Sequence, residues 1–186
     1  DVPVVQMDSV IGNKSGKVLL TMFFQNTNLL LAFLRDHNTA RSVLDVFNDL
    51  YAMFGRETYC RLFPVILTDR GSEFSNPVPI EQDENGELRS LVFYCNPSAP
   101  YQKGGIEVAH ELIRRILPKG KSFDDLQQED IDLMLSHINS YKRGKLNSRS
   151  AYQLFSFIYG DDILPKLNIH EIEPNDIVLS PKLLKK

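Results

Sequence analysis

Cysteine is scarce in this chain: Cys60 and Cys95 are the only two, neither belongs to a CxxC pair, and the four histidines show no ligand spacing with them. That pattern argues against a zinc module or a disulfide scaffold, and the expectation is two reduced thiols in an intracellular protein. The glycine-rich signatures of nucleotide chemistry are missing too. There is no GxGxxG, no GxxxxGK[ST] and no GxSxG nucleophile elbow. His110 has no nucleophilic partner in the sequence, so a Ser–His mechanism lacks an anchor. No apolar run reaches the roughly 18 uninterrupted residues of a membrane span. The nearest, VLLTMFFQNTNLLLAFL, is broken by Gln25, Asn26, Thr27 and Asn28 and reads as strand, turn, strand. No secretory signal and no membrane partner are expected. Positive charge is not in excess either. The formal net charge is −3, whereas an autonomous nucleic-acid binder is usually basic.

What is present suits a globular domain. At 186 residues, with 42% hydrophobic and 24% charged content, the chain fits one domain able to bury a substantial core. It begins at Asp1 rather than Met, which is the expectation for a piece of something longer. VPVVQMDSVIG, KVLLTMFFQ and NLLLAFLRD read as three consecutive strands, with GNKSG as a hairpin connection. The second and third are nearly all apolar, as a sheet covered by helices requires. Asn38-Thr39 offers an N-cap for a helix to about Phe54, closed by Gly55, with Val43, Phe47 and Leu50 on its inner face. RLFPVILTD reads as the next strand and LVFYC as another. Helices are predicted over Gly104–Leu117, over LQQEDIDLMLSHINSYKRG and over SAYQLFSFIYG, with a possible last strand at DIVLS. Strands, a crossover helix, another strand and then helices make an α/β sheet flanked by helices. The expected division is a core over residues 1–160 and a C-terminal extension over 161–186 of open packing.

Three acids stand out in three separate settings. Asp8 lies on a strand-like segment in the same alternation phase as Gln6; taken alone it reads as a surface aspartate on a half-exposed strand. Asp69 ends an apolar run in PVILTDRGSEF, where open α/β sheets place ligand sites, though an aspartate at a turn often bonds only its own backbone. Glu107 opens a helix whose core stripe is Ile106, Ala109, Ile113 and Ile116, while Lys103, Glu107, His110, Glu111 and Arg114 share another face. That face is also what a solvated stripe with a weak ion pair looks like. PYQKGG could seat a phosphate at the helix start, or be an ordinary loop. Lys119, Lys121, Lys142, Arg143, Lys145 and Arg149 add positive charge downstream. Carboxylates from distant segments converging on divalent ions are what two-metal phosphoryl transfer needs.

Together MDSVIG, LTDRGSEF and FYCNPSAPYQKGGIEVAHELIRRILPKGKSFDDL resemble the DDE transposase and retroviral-integrase superfamily, above all the cores of insertion-sequence-thirty-like bacterial transposases. The resemblance covers roughly the first 155 residues. It implies a ribonuclease-H-like fold, and Asp8, Asp69 and Glu107 as catalytic and metal-binding residues for Mg²⁺ or Mn²⁺, two ions together. It also implies DNA as partner, both element ends and target, a homo-oligomer in the active complex, and a bacterial cytoplasmic, nucleoid-associated location. Candidate DNA contacts are Lys103, His110, Arg114, Lys119, Lys142 and Arg143. Two departures stand out: Arg70 where the family often has Asn, and Val108-Ala109 where it is often Asn-rich. The usual N-terminal helix-turn-helix has no room before Asp8. Alternatives are a ribonuclease-H-like nuclease without strand transfer, and a non-catalytic DNA-binding or assembly module.

Overall fold

The computed structural model describes residues 2–185. β1 (Val4–Ile11), β2 (Val18–Phe24) and β3 (Leu29–Arg35) form an antiparallel meander; β4 (Val65–Thr68) joins the free side of β1 in parallel and β5 (Leu91–Tyr94) follows it, also in parallel. The resulting order is β3-β2-β1-β4-β5, a mixed sheet with helices around it, which is the expected α/β class. All seven residues of β2 are buried, as its nearly all-apolar sequence requires. The turn between β2 and β3 works because Asn28 takes the left-handed conformation at φ 59° and the Thr27 hydroxyl accepts the Leu29 amide.

α1 (Ala40–Leu62) starts on Thr39, whose hydroxyl accepts the Ser42 amide while the Ser42 hydroxyl accepts the Thr39 amide. Val43, Phe47 and Leu50 form its buried face, as their spacing predicts. The first helical stretch stops at Gly55, with φ 73° and ψ 165°, as its sequence predicts, and a second stretch not foreseen there runs on to Leu62. The reason lies downstream: Tyr59 and Leu62 are buried, and the Tyr59 ring packs on Phe63 and Tyr51. A glycine stop signal is local, and burial beyond it restarts the helix. The predicted strand RLFPVILTD is shortened for the same reason, since Leu62 belongs to α1 and only Val65–Thr68 pairs.

The remaining helices are α2 (Val78–Glu81), α3 (Gly104–Ile116), α4 (Gln128–Ser140), α5 (Ala151–Tyr159) and α6 (Ile163–Lys166). α4 stops at Ser140, before Tyr141 turns extended, so YKRG is not helical. DIVLS forms no strand; 3-10 turns at Pro174–Asp176 and Pro181–Leu184 flank it. Ile163, Leu164, Leu167, Ile169 and Leu184 join the same buried cluster as the strands. Among the described residues no helix is long and apolar enough to cross a membrane.

The register between β1 and β4 fixes where the acids stand. The two strands are parallel, with Val4 opposite Val65 and Gln6 opposite Leu67. The Thr68 hydroxyl then bonds the Met7 carbonyl at 3.1 Å. Continued two residues past Gln6 and Leu67, that register sets Asp8 level with Asp69. Side chains level on adjacent parallel strands share a face of the sheet.

Candidate active site

The two aspartates meet as the register requires. Each spends one oxygen on its own backbone: Asp8 Oδ1 accepts the Ser9 amide at 2.8 Å, and Asp69 Oδ1 accepts the Gly71 amide at 2.9 Å. The self-bonded turn that an aspartate makes by habit is therefore present at Asp69, and it fixes the carboxylate. The other oxygens converge on one ammonium. Lys103 Nζ lies 3.0 Å from Asp8 Oδ2 and 3.3 Å from Asp69 Oδ2. Lys103 belongs to the 3-10 turn Pro100–Lys103 that leads into α3, and it is 7% exposed. Burial pushes its pKa down, but the charges and hydrogen bonds of Asp8 and then Asp69 outweigh that and hold it above the ordinary 10.5.

Gln6 fastens this arrangement. Its side chain is buried, Oε1 accepts the Ile106 amide at 2.8 Å, and Nε2 donates to Gln102 O at 3.3 Å. One residue of β1 thus pins the segment that carries both Lys103 and Glu107. Gly105 permits the close approach, since a Cβ there would collide with the Phe23 ring of β2. The reading of PYQKGG as a phosphate seat is not what the backbone provides. The Gly104 amide bonds Tyr101 O and the Ile106 amide is held by Gln6, so two of the amides a phosphate would need are spent.

On the other side of Asp8, Ser9 Oγ donates to Glu73 Oε1 at 2.8 Å and accepts from Arg35 Nη2 at 3.1 Å. Glu73 sits on the 3-10 turn Ser72–Phe74 that follows Asp69, so this contact ties that loop to β1. Burial lowers the Arg35 guanidinium to about 10, with Glu73 acting in the opposite direction. At the back of Asp8, the Thr21 hydroxyl bonds Asp8 O at 3.1 Å and His110 Nε2 lies 2.8 Å from that hydroxyl. Burial holds the imidazole below its ordinary range, while Asp8 pulls the other way.

The six candidate phosphate contacts separate into three groups. His110, Arg114 and Lys119 line one groove with Ser9, Glu107 and Glu111, beside the acids. Lys103 is not on that open face, because its ammonium is taken by the two aspartates. Lys142 and Arg143 lie elsewhere. α4 runs antiparallel to β3, with Gln128 at its start bonded to the Leu34 amide and Asn139 near its end bonded to the Leu30 amide. The chain therefore leaves α4 at the end of the sheet where β3 begins, away from the strand end that carries Asp69. Arg143 is half-buried, and burial lowers its pKa. Gln6 and Arg35 escaped the sequence reading as parts of the site. For Gln6 a signal existed, since it shares the alternation phase of Asp8.

Glu107 is exposed on the first turn of α3 and lines the same cleft as Asp8, Asp69, Arg70 and Lys103. Among the described residues, no three of His, Cys, Asp and Glu stand close enough together to hold a metal ion. Oxygen donors are what a hard divalent cation requires, and Asp8 Oδ2 and Asp69 Oδ2 already share a cation, so this pair fits one such ion. The third acid stands apart in this arrangement.

No family model matches the chain. It is 28% identical over 151 residues to a proposed integrase, ORF3, of Spiroplasma virus SpV1-R8A2 B, covering 81% of this chain and 45% of that protein. It is 23% identical over 154 residues to the transposase for insertion sequence element IS4351 of Bacteroides fragilis, covering 83% and 44%. To the transposase InsI for insertion sequence element IS30A of Escherichia coli K12 it is 22% identical over 147 residues, covering 79% and 36%. The chain thus spans less than half the length of these curated relatives. Among solved structures, the catalytic core domain of BIV integrase matches with a TM-score of 0.58 at 22% identity, covering 86% of this chain and 94% of that one. A chain of the simian T-cell lymphotropic virus intasome, solved in complex with PP2A regulatory subunit B56 gamma, matches with a TM-score of 0.61 at 18% identity, covering 92% of this chain and 58% of that one. The fold is the ribonuclease-H-like fold of integrase cores. In sequence the chain is similar to integrases and insertion-sequence transposases, and in fold it is similar to retroviral integrase cores.

Proposed function

We propose that this core cleaves DNA strands and joins them to a target by metal-dependent phosphoryl transfer, with Asp8, Asp69 and Glu107 as its catalytic acids. The observation that carries the reading is the convergence of Asp8 Oδ2 and Asp69 Oδ2, from neighbouring parallel strands, on a single cation. Glu107, from α3, opens onto the same cleft and would complete the set. Mg²⁺ or Mn²⁺ ions held by these acids would activate the attacking oxygen and stabilise the leaving 3′-oxygen. The chain's own part is placement. Gln6 sets the start of α3 against β1, the Asp69–Gly71 turn aims one carboxylate, and the Ser9–Glu73 contact holds the loop after it.

His110, Arg114 and Lys119 flank Glu107, where they would take the DNA backbone. Lys142 and Arg143 are read as contacts to more distant DNA or to a second subunit, because they leave the sheet at its other end. The DNA would be an element end and a target, handled by more than one copy of the chain, in a bacterial cytoplasm at the nucleoid.

The test supplies a labelled element end, target DNA and Mg²⁺ to protein carrying this core. Joined product is expected, and Asp69→Asn should lower cleavage and joining by about 10³-fold or more, the several kcal/mol a metal contributes to a developing charge. Undiminished joining by Asp69→Asn removes the assignment. Cleavage without joining identifies a plain nuclease.

A further inference from the structure

The cation in the cleft belongs to the protein. Lys103 Nζ has three protons to donate and no lone pair, and it has three acceptors: Asp8 Oδ2 at 3.0 Å, Asp69 Oδ2 at 3.3 Å and Met7 O at 3.4 Å. Its hydrogen-bonding capacity is full, and the side chain is only 9% exposed. The oxygens it joins are the two that the backbone leaves over, since Ser9 N and Gly71 N take the others. A divalent ion coordinated by both at about 2 Å cannot share that space with an ammonium seated about 3 Å from both.

We propose that Lys103 is a displaceable counter-ion, so that a divalent cation enters the Asp8–Asp69 pair only by exchange for the lysine ammonium. The inference rests on the assignment of Asp8 and Asp69 as metal ligands and adds the way their site is filled and guarded. The exchange asks little of the fold. The ammonium rides on a flexible four-carbon stem, and α3 stays in place because Gln6 holds Ile106 independently of the lysine. The released charge faces a cleft lined by Arg70, Asn96, Ser98 and Glu107. A phosphate arriving there with DNA would pair with it. Metal and DNA then assist each other, because each rewards the lysine for leaving, and such coupling is reciprocal. Without DNA the aspartates keep their internal partner, and the core holds little metal with which to hydrolyse at random.

Calorimetric titration of Mn²⁺ into DNA-free protein separates the possibilities, using wild type, Lys103→Met, Lys103→Gln and Asp69→Asn. Both lysine variants should bind Mn²⁺ about tenfold or more tighter than wild type, within the usual range of coupling between sites, and Asp69→Asn should lose the binding. Equal or weaker binding by the lysine variants, with Asp69-dependent binding in wild type, overturns the exchange and leaves the metal site standing. Absence of Asp69-dependent binding in every protein overturns both. Should the lysine variants fail to fold, the wild type answers alone. With ¹⁵N-labelled lysine, the Lys103 ammonium resonance should move on addition of Mg²⁺, and a resonance unchanged at saturation overturns the exchange.

Discussion

β2 and β1 lie side by side and are built from different materials. β2 buries seven residues, six of them apolar, and Phe24 at its end packs against Phe63, Phe155 and Tyr159. β1 buries Gln6 between two apolar neighbours, carries Asp8 onto the face shared with Asp69 and Lys103, and turns Ser9 the other way toward Glu73. The apolar side is held by contacts that tolerate some variation in shape, because dispersion and burial are non-directional. The polar side has no such latitude. Each of its groups is satisfied by a partner far away in the chain: Gln6 by residues near 104, Ser9 by Glu73, Asp8 by Lys103. The lesson is a division of labour in which stability resides with β2, β3 and the helices over them, and chemistry is concentrated where polar groups depend on one another.

That contrast is broken most forcefully at Phe24. Phe24→Ala should lower the free energy of unfolding by about 3–5 kcal/mol, measured by urea denaturation, while Mn²⁺ binding per folded molecule stays as in wild type. Loss of metal binding at full folding would mean that the two sides are not separable. Gln6→Ala should sharpen the comparison from the other side. It leaves the buried Ile106 amide without its acceptor, at a cost of about 1–3 kcal/mol. Because α3 then loses its tether to β1, joining activity per folded molecule should fall as well. A variant that loses stability alone would demote Gln6 to packing.

The smallest effect is expected at His137, far from the acids. Its Nδ1 accepts the Val178 amide at 3.0 Å, and burial holds the imidazole below its ordinary range against the pull of Asp176. The folded state therefore binds fewer protons than the unfolded state below the ordinary value of 6.5. The contribution to stability is whole above that pH and is lost as pH falls through the depressed folded value. Urea midpoints between pH 7.5 and 5 should show a shallower fall for His137→Gln than for wild type. An identical slope would place the proton uptake on another group, such as His110.

The meander and the start of α1 were legible because their signals are local: alternating or unbroken apolar runs, a GNKSG connection, a Thr39 cap. Asp69 was legible as an acid at a strand end. What escaped has a common cause. Gly55 reads as a stop from its neighbours, yet Tyr59 and Leu62 restart the helix by packing on residues that local periodicity does not see. Lys103 reads as one of several bases on a helix surface. Its contact with Asp8 spans 95 positions and exists only because β1 pairs with β4 in one particular register. The same blindness applies to Lys142 and Arg143, whose place depends on the direction in which α4 crosses β3.

The small contact among Asp8 O, Thr21 and His110 decides where a proton resides. A threonine hydroxyl has a single hydrogen, and the Asp8 carbonyl can only accept, so that hydrogen is committed to it. Nε2 of His110 must then be the N–H nitrogen, and in the neutral ring Nδ1 is bare. Any proton the imidazole gains arrives at Nδ1, and the Thr21 contact survives unchanged. The ring can thus change its charge without tugging on the carbonyl of Asp8, which insulates the position of that aspartate from the protonation state of its nearest histidine.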